Sequence, residues 1–197
     1  MISQKTTEFS DAIVNYGLAE HIHELDENGL TIVPQSRLGL PDEWFEEVLD
    51  AILRVAHDRA GVVFDVRKNP SAKFSGRPRE IGQLILSHLI HEDQAFERVV
   101  TNPVKKVLMT HLLGEEHRLA VSDGWIKWET PHTWVGEVTT DFHADQKDVP
   151  PPWNWRLPHI ANMNWILTDY TRARGALAYV PGSHRLGRLP EPGEALP

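Results

Sequence analysis

The chain contains no cysteine. That excludes disulfides, zinc ribbons, iron–sulfur clusters and thiol nucleophiles, so any bound metal must be held by imidazole and carboxylate. Long apolar runs are also missing. The most apolar stretch, IGQLILSHLI, is short and interrupted by polar residues, and the opening MISQKTTEFSDAIVNYG has no apolar core of a signal peptide. The expectation is a cytoplasmic protein that does not span a membrane. A cationic block is absent as well: 20 Lys and Arg stand against 28 Asp and Glu, a net charge of −8. Nucleic acid is therefore not expected as a partner.

What is present suits a folded domain. With 197 residues, 41% of them hydrophobic and 7 of them Trp, the chain can bury a real core and reads as a single domain over residues 1–197. Residues 1–114 are predicted to be largely helical. TEFSDAIVNYGLAEHIHELD (7–26) reads as a helical lead-in, and NGLTIVPQS, with its Asn-Gly turn and β-branched run, as a strand. LPDEWFEEVLDAILRVAHDRA is the clearest helix, with Trp44, Phe45, Val48, Leu49, Ile52, Leu53 and Val55 at helical spacing. Further helices are predicted from about Glu80 to Ile90 and from Asp93 to Leu113, the latter broken near Asn102-Pro103 and ended by Gly114. From residue 115 the pattern changes to short segments rich in Val, Trp, Thr and Tyr: RLAVSD, GWIKWET, TWVGEVTTDFHAD, HIANMNWILTDY and GALAYV. Residues 115–197 are thus predicted to be all β, with long loops.

FHADQ (142–146) carries the first chemical signal. On a strand, side chains two apart share a face, so His143 and Asp145 can offer an imidazole and a carboxylate to one ion. Taken alone, so short and common a pattern reads more simply as a solvated strand end. YVPGSHRLG then delivers His184 from a Pro181-Gly182 turn, which fixes its backbone on both sides; by itself it is equally an exposed turn residue. Together, two His and one carboxylate are the donor set of the facial triad of non-haem Fe(II) oxygenases, which leaves three positions open.

With HAD, NMNWILTDYTRARGALAYVPGSHRLG and the earlier ENGLTIVP in view, the sequence resembles the phytanoyl-CoA dioxygenase family of Fe(II)/2-oxoglutarate oxygenases. The likeness runs from about residue 25 to the C-terminus and is densest over 141–188. It implies a mainly β fold with N-terminal helices, a double-stranded β-helix (jelly-roll, cupin-like). It implies Fe(II) held by His143, Asp145 and His184, 2-oxoglutarate as co-substrate, and O₂. The expected activity is oxidation of a small-molecule substrate with release of succinate and CO₂. In related halogenases a small residue stands where Asp145 is, so Asp145 points to hydroxylation or a similar oxidation. Two cofactor neighbours are expected, Asn162 and Trp165, although on one strand they face opposite ways and only one can look at the iron.

The family's Arg for the far carboxylate of 2-oxoglutarate, on the strand after the distal His, has no counterpart in RLGRLPEPGEALP, where nothing basic follows Arg188. The last strand or strands of the jelly-roll are therefore expected to be missing, as in a truncated chain. Lys127 or Lys73 is an alternative partner for the co-substrate. The loop VPPPWNW either walls a substrate pocket with Trp153 and Trp155 or packs those rings on the sheet. His21 and His23 face apart on a helix, so no site is expected there. His88, His91, His111 and His117 read as helix-surface or partly buried residues, and His132 and His159 as neighbours of the β half. Two other readings use the same residues: a non-catalytic jelly-roll that binds a small ligand or partner, and a cupin-like protein working with Zn or Mn. The substrate and the oligomeric state are not encoded in any motif found.

Overall fold

The computed structural model describes residues 2–61, 63, 64, 66, 83–128 and 143–191. Helix α1 (Ile2–Asn15) and helix α2 (Ala19–Asn28) form the lead-in. They are separated at Gly17, whose φ of 62° is a left-handed conformation that stops α1, and Leu18 between them is fully buried. Helix α3 (Asp42–Ala60) follows its sequence pattern closely: Asp42 and Glu43 lie in the first turn, His57 and Arg59 in the last, each favourable to the helix dipole. Its buried face is Trp44, Val48, Leu49, Ala51, Val55 and Ala56.

Helix α4 (Glu97–Thr101) and helix α5 (Pro103–Leu113) meet at Asn102, as the Asn-Pro pair predicts. Pro103 can open a helix because its missing N–H would have had no partner there. Asn102 caps α5, its side-chain oxygen accepting from the N–H groups of Val104 and Lys105 at 3.0 and 3.2 Å.

The helix expected from Glu80 to Ile90 is not formed by its described part. Gln83–Leu86 is strand β1, paired antiparallel with β2 (Gly124–Lys127) in the register Leu84↔Ile126 and Leu86↔Gly124. Leu84, Leu86 and Ile126 face the core while Ile85 and Trp125 are exposed. A short apolar run fits either period, and the tertiary partner decides between them.

The expectation of a mainly β fold is overturned more broadly. Among the described residues there are five α-helices and a single two-stranded sheet. Residues 28–36, 118–123, 159–170 and 175–180, all read as strands, enter no ladder there, and 129–142 lie outside the described residues. Alternation places side chains on faces, but a strand exists only where its backbone groups find a second segment. Residues 161–167 illustrate this. Ala161, Met163, Trp165 and Leu167 are half-buried and alternate with exposed Asn162, Asn164 and Ile166, yet among the described residues the backbone between them joins no sheet.

Two apolar clusters hold these elements together. One joins α3, β1, β2, Phe64, Phe96 and Trp128; the other joins Leu18, Leu25 and Leu38 to Val104, Val107 and Leu108 of α5. Leu40, Phe45 and Trp165 pack against both. No helix among the described residues is long and apolar enough to cross a membrane.

Candidate functional site

His143 and Asp145 are not on a strand. Ala144 is extended (φ −117°, ψ 137°) and Asp145 opens a short 3-10 turn, Asp145–Asp148. One extended residue between them is enough to bring the two side chains to the same side. His143 Nε2 lies 3.6 Å from Asp145 Oδ1, and the pair is open to solvent, the side chains 73% and 49% exposed. The other Asp145 oxygen accepts a hydrogen bond from Asn162 Nδ2. One residue further along the turn, Gln146 Oε1 accepts from the His159 N–H at 2.8 Å. These two bonds hold the turn against the 159–162 segment, so the carboxylate is oriented from a second part of the chain.

His184 stands elsewhere in the contact pattern. Gly182 (φ 77°) and Gly187 (φ 66°) bracket a 3-10 turn, Ser183–Leu186, that lies on the C-terminal end of α2. His184 Nε2 is 3.2 Å from the Asp26 carbonyl. A carbonyl only accepts, so Nε2 carries the proton and the lone pair is on Nδ1. That Nδ1 is buried and has no hydrogen-bond partner among the described residues. It faces Gly29, where a Cβ would come within 2.6 Å of it. Burial pushes the His184 pKa down, the Asp26 bond opposing it. Trp155 meets the imidazole edge-on at 5.9 Å, and the Arg185 guanidinium lies over the same indole. Trp153 belongs to the same contact: its N–H donates to the Gly187 carbonyl at 2.7 Å, and its Nε1 donates to Val149 O.

Among the described residues no group of three His, Asp or Glu is placed to share a metal ion. His143 and Asp145 are brought together; His184 is engaged with α2. Of the two expected cofactor neighbours, Asn162 is the one beside Asp145. Trp165 faces the opposite way, its ring 5.2 Å from Trp44 in the core and its Nε1 buried without a partner among the described residues. Lys127 donates to the Gly175 carbonyl at 3.1 Å, Arg188 donates to the Leu189 carbonyl, and Lys73 and His132 lie outside the described residues. His21 is buried against Thr31 while His23 is exposed, facing apart as helix geometry requires. His111 bonds Asp26 Oδ1 at 2.8 Å, and His88 and His91 are exposed. Asp26 and Gly29 carried no signal in the sequence, because their role depends on α2 meeting a turn far along the chain, and Arg185, close to the distal turn, bonds Asp26 and Glu27.

The sequence model of the phytanoyl-CoA dioxygenase family matches residues 25–195. The chain belongs to that family. No curated protein and no solved structure matches it. Members of the phytanoyl-CoA dioxygenase family generally use Fe(II) and 2-oxoglutarate. The donor types present, two imidazoles and a carboxylate, suit Fe(II). Their placement does not: with Nε2 of His184 spent on Asp26 and Nδ1 closed against Gly29, the third donor is not offered to an ion at His143 and Asp145.

Proposed function

We propose that this chain is an Fe(II)- and 2-oxoglutarate-dependent dioxygenase that hydroxylates or otherwise oxidises a small molecule, with release of succinate and CO₂. His143, Asp145 and His184 are its metal ligands. The single observation that carries this reading is the His143–Asp145 pair, 3.6 Å apart, solvent-facing and oriented by Asn162. Family membership supplies the reaction class, and the carboxylate at position 145 favours oxygen insertion over halide transfer. Asn162 orients the carboxylate by donating to the oxygen that does not face His143. For the three ligands to meet at one ion, His184 must leave α2, where it is held by the Asp26 carbonyl.

The test is an anaerobic titration with Fe(II) and then 2-oxoglutarate, following the weak visible absorption of a chelated 2-oxo acid. A saturating band that is lost in Asp145→Ala and in His184→Ala supports the assignment. Iron binding without a band argues against 2-oxoglutarate as co-substrate and leaves a metal protein of another kind. No iron binding overturns the reading in favour of a non-catalytic binding protein, which the engagement of His184 with α2 favours.

A further inference from the structure

Between the 3-10 turn Gln35–Arg37 and the junction of α4 with α5 lies a cavity of about 340 Å³, near the low end of the range in which small molecules bind, roughly 300–1,000 Å³. Its two sides are tied together: Asn102, buried at the junction, donates from Nδ2 to the Leu38 carbonyl at 2.9 Å. The space is therefore formed before anything enters it. Most of the lining is apolar, supplied by Tyr16, Leu38, Leu40 and Pro103, and no Asp or Glu among the described residues contributes to it.

The charged part of the lining is cationic, Arg37 and Arg98. Elsewhere this acidic chain matches arginines with carboxylates: Arg54 with Asp93, Arg59 with Glu92, Arg174 with Asp169 and Arg185 with Glu27. Arg37 instead makes one long bond among the described residues, from Nη1 to the Tyr16 carbonyl at 3.5 Å, and lies over Gly17, where any side chain would collide with it. The Arg98 side chain has no hydrogen-bond or ion-pair partner among the described residues. Thr101 spends its hydroxyl proton on the Glu97 carbonyl, and the Asn102 amide is used at both ends. A guest therefore meets the two guanidiniums as its strong donors. Asn102 and Pro103 also begin α5, so the positive end of that helix dipole borders the cavity. Its first N–H groups are already bound to Asn102, and the helix adds field rather than bonds.

We infer that this cavity binds a small organic anion: a carboxylate or phosphate headgroup paired with Arg37 and Arg98, carrying a compact apolar group that packs against Leu38, Leu40 and Pro103. Two unmatched cations favour the anion, and the apolar wall favours one with an apolar body over a bare ion. The cavity shares no lining residue with the His143–Asp145 pair, and the inference stands whether or not that pair holds a metal.

The experiment is calorimetric titration of the full chain with phenyl phosphate and with benzoate, each set beside its bare headgroup, inorganic phosphate or acetate. At least one of the two aromatic anions is expected to bind, more tightly than its bare headgroup by roughly tenfold, the scale of burying part of the ring. Which of the two binds more tightly tells a phosphate guest from a carboxylate one. Arg37→Gln and Arg98→Gln should each weaken that binding by roughly tenfold, the scale of one charge-assisted hydrogen bond. Arg118→Gln, at an exposed arginine outside the cavity lining, should leave it unchanged. Arg98 holds nothing else in place among the described residues, so Arg98→Gln decides the matter if Arg37→Gln does not fold. Failure of both aromatic anions to bind at millimolar concentration overturns the inference. So does a bare headgroup that binds as tightly as its aromatic form, which marks exposed charge without a pocket, or binding that Arg98→Gln weakens no more than Arg118→Gln.

Discussion

Asn102 shows how much one buried side chain can hold. It is 3% exposed, and while its oxygen caps α5, its Nδ2 donates to the Leu38 carbonyl at 2.9 Å, tying the α4–α5 junction to the segment before α3. Both ends of the amide are in use within the core. Asn102→Ala removes a cap and leaves the Leu38 carbonyl without its donor, an expected loss of about 2–3 kcal/mol. Asn102→Ser keeps a capping oxygen but gives up the reach to Leu38, so it should lose less. Urea denaturation of the two variants checks the order; equal losses would mean that the Leu38 bond contributes nothing. The break between the helices was legible from the Asn-Pro pair, and the Leu38 bond was not, because it joins residues 64 apart.

Among the elements, the 3-10 turn Gln94–Phe96 that leads into α4 carries a pH dependence. Asp93 accepts from the Ala95 N–H at 2.7 Å and pairs with Arg54 from α3. First the Ala95 bond and then Arg54 hold its carboxyl below the usual aspartate range. A depressed folded-state pKa contributes stability that is present above the unfolded value, about pH 4, and is lost as pH falls through the folded value. Asp93→Asn keeps a capping oxygen but does not titrate. Melting temperatures measured from pH 6 down to 2.5 should therefore fall more steeply for the unsubstituted protein than for Asp93→Asn below about pH 4. Parallel curves would show that Asp93 gains nothing from its partners. The same scale explains the misread segment. QLIL is as compatible with a helix turn as with a strand until GWIK is found opposite it.

Over the whole molecule, the two apolar clusters are joined by Leu40, Phe45 and Trp165, so the 159–167 segment and the helical half share one core. The two tryptophans at that junction make opposite demands. Trp44 is 1% exposed and donates from Nε1 to the Ala95 carbonyl at 3.1 Å, whereas Trp165 Nε1 is buried with no partner among the described residues. Trp44→Phe forfeits a bond and leaves a void, an expected cost of about 2–3 kcal/mol. Trp165→Phe removes an unsatisfied donor that offsets much of the lost volume, and should stay within about 1 kcal/mol of the parent. Denaturant midpoints decide this, and a Trp165→Phe loss as large as that of Trp44→Phe would contradict the arrangement.

The amino-acid sequence by itself determined what short-range physics governs. α3 follows from apolar spacing, and the break between α4 and α5 follows from Asn-Pro. The approach of His143 to Asp145 needs only one extended residue between them, and the family is carried by the motifs around 141–188. Only the tertiary structure decided which apolar runs became strands, that Asn162 and not Trp165 stands beside Asp145, and that His184 is held by Asp26, 158 residues away. The reason is the same in each case. Caps, turns and helical faces are set by neighbours within a few residues, whereas a ladder or a docked turn is a pairing of two distant segments, and neither segment's own pattern names its partner.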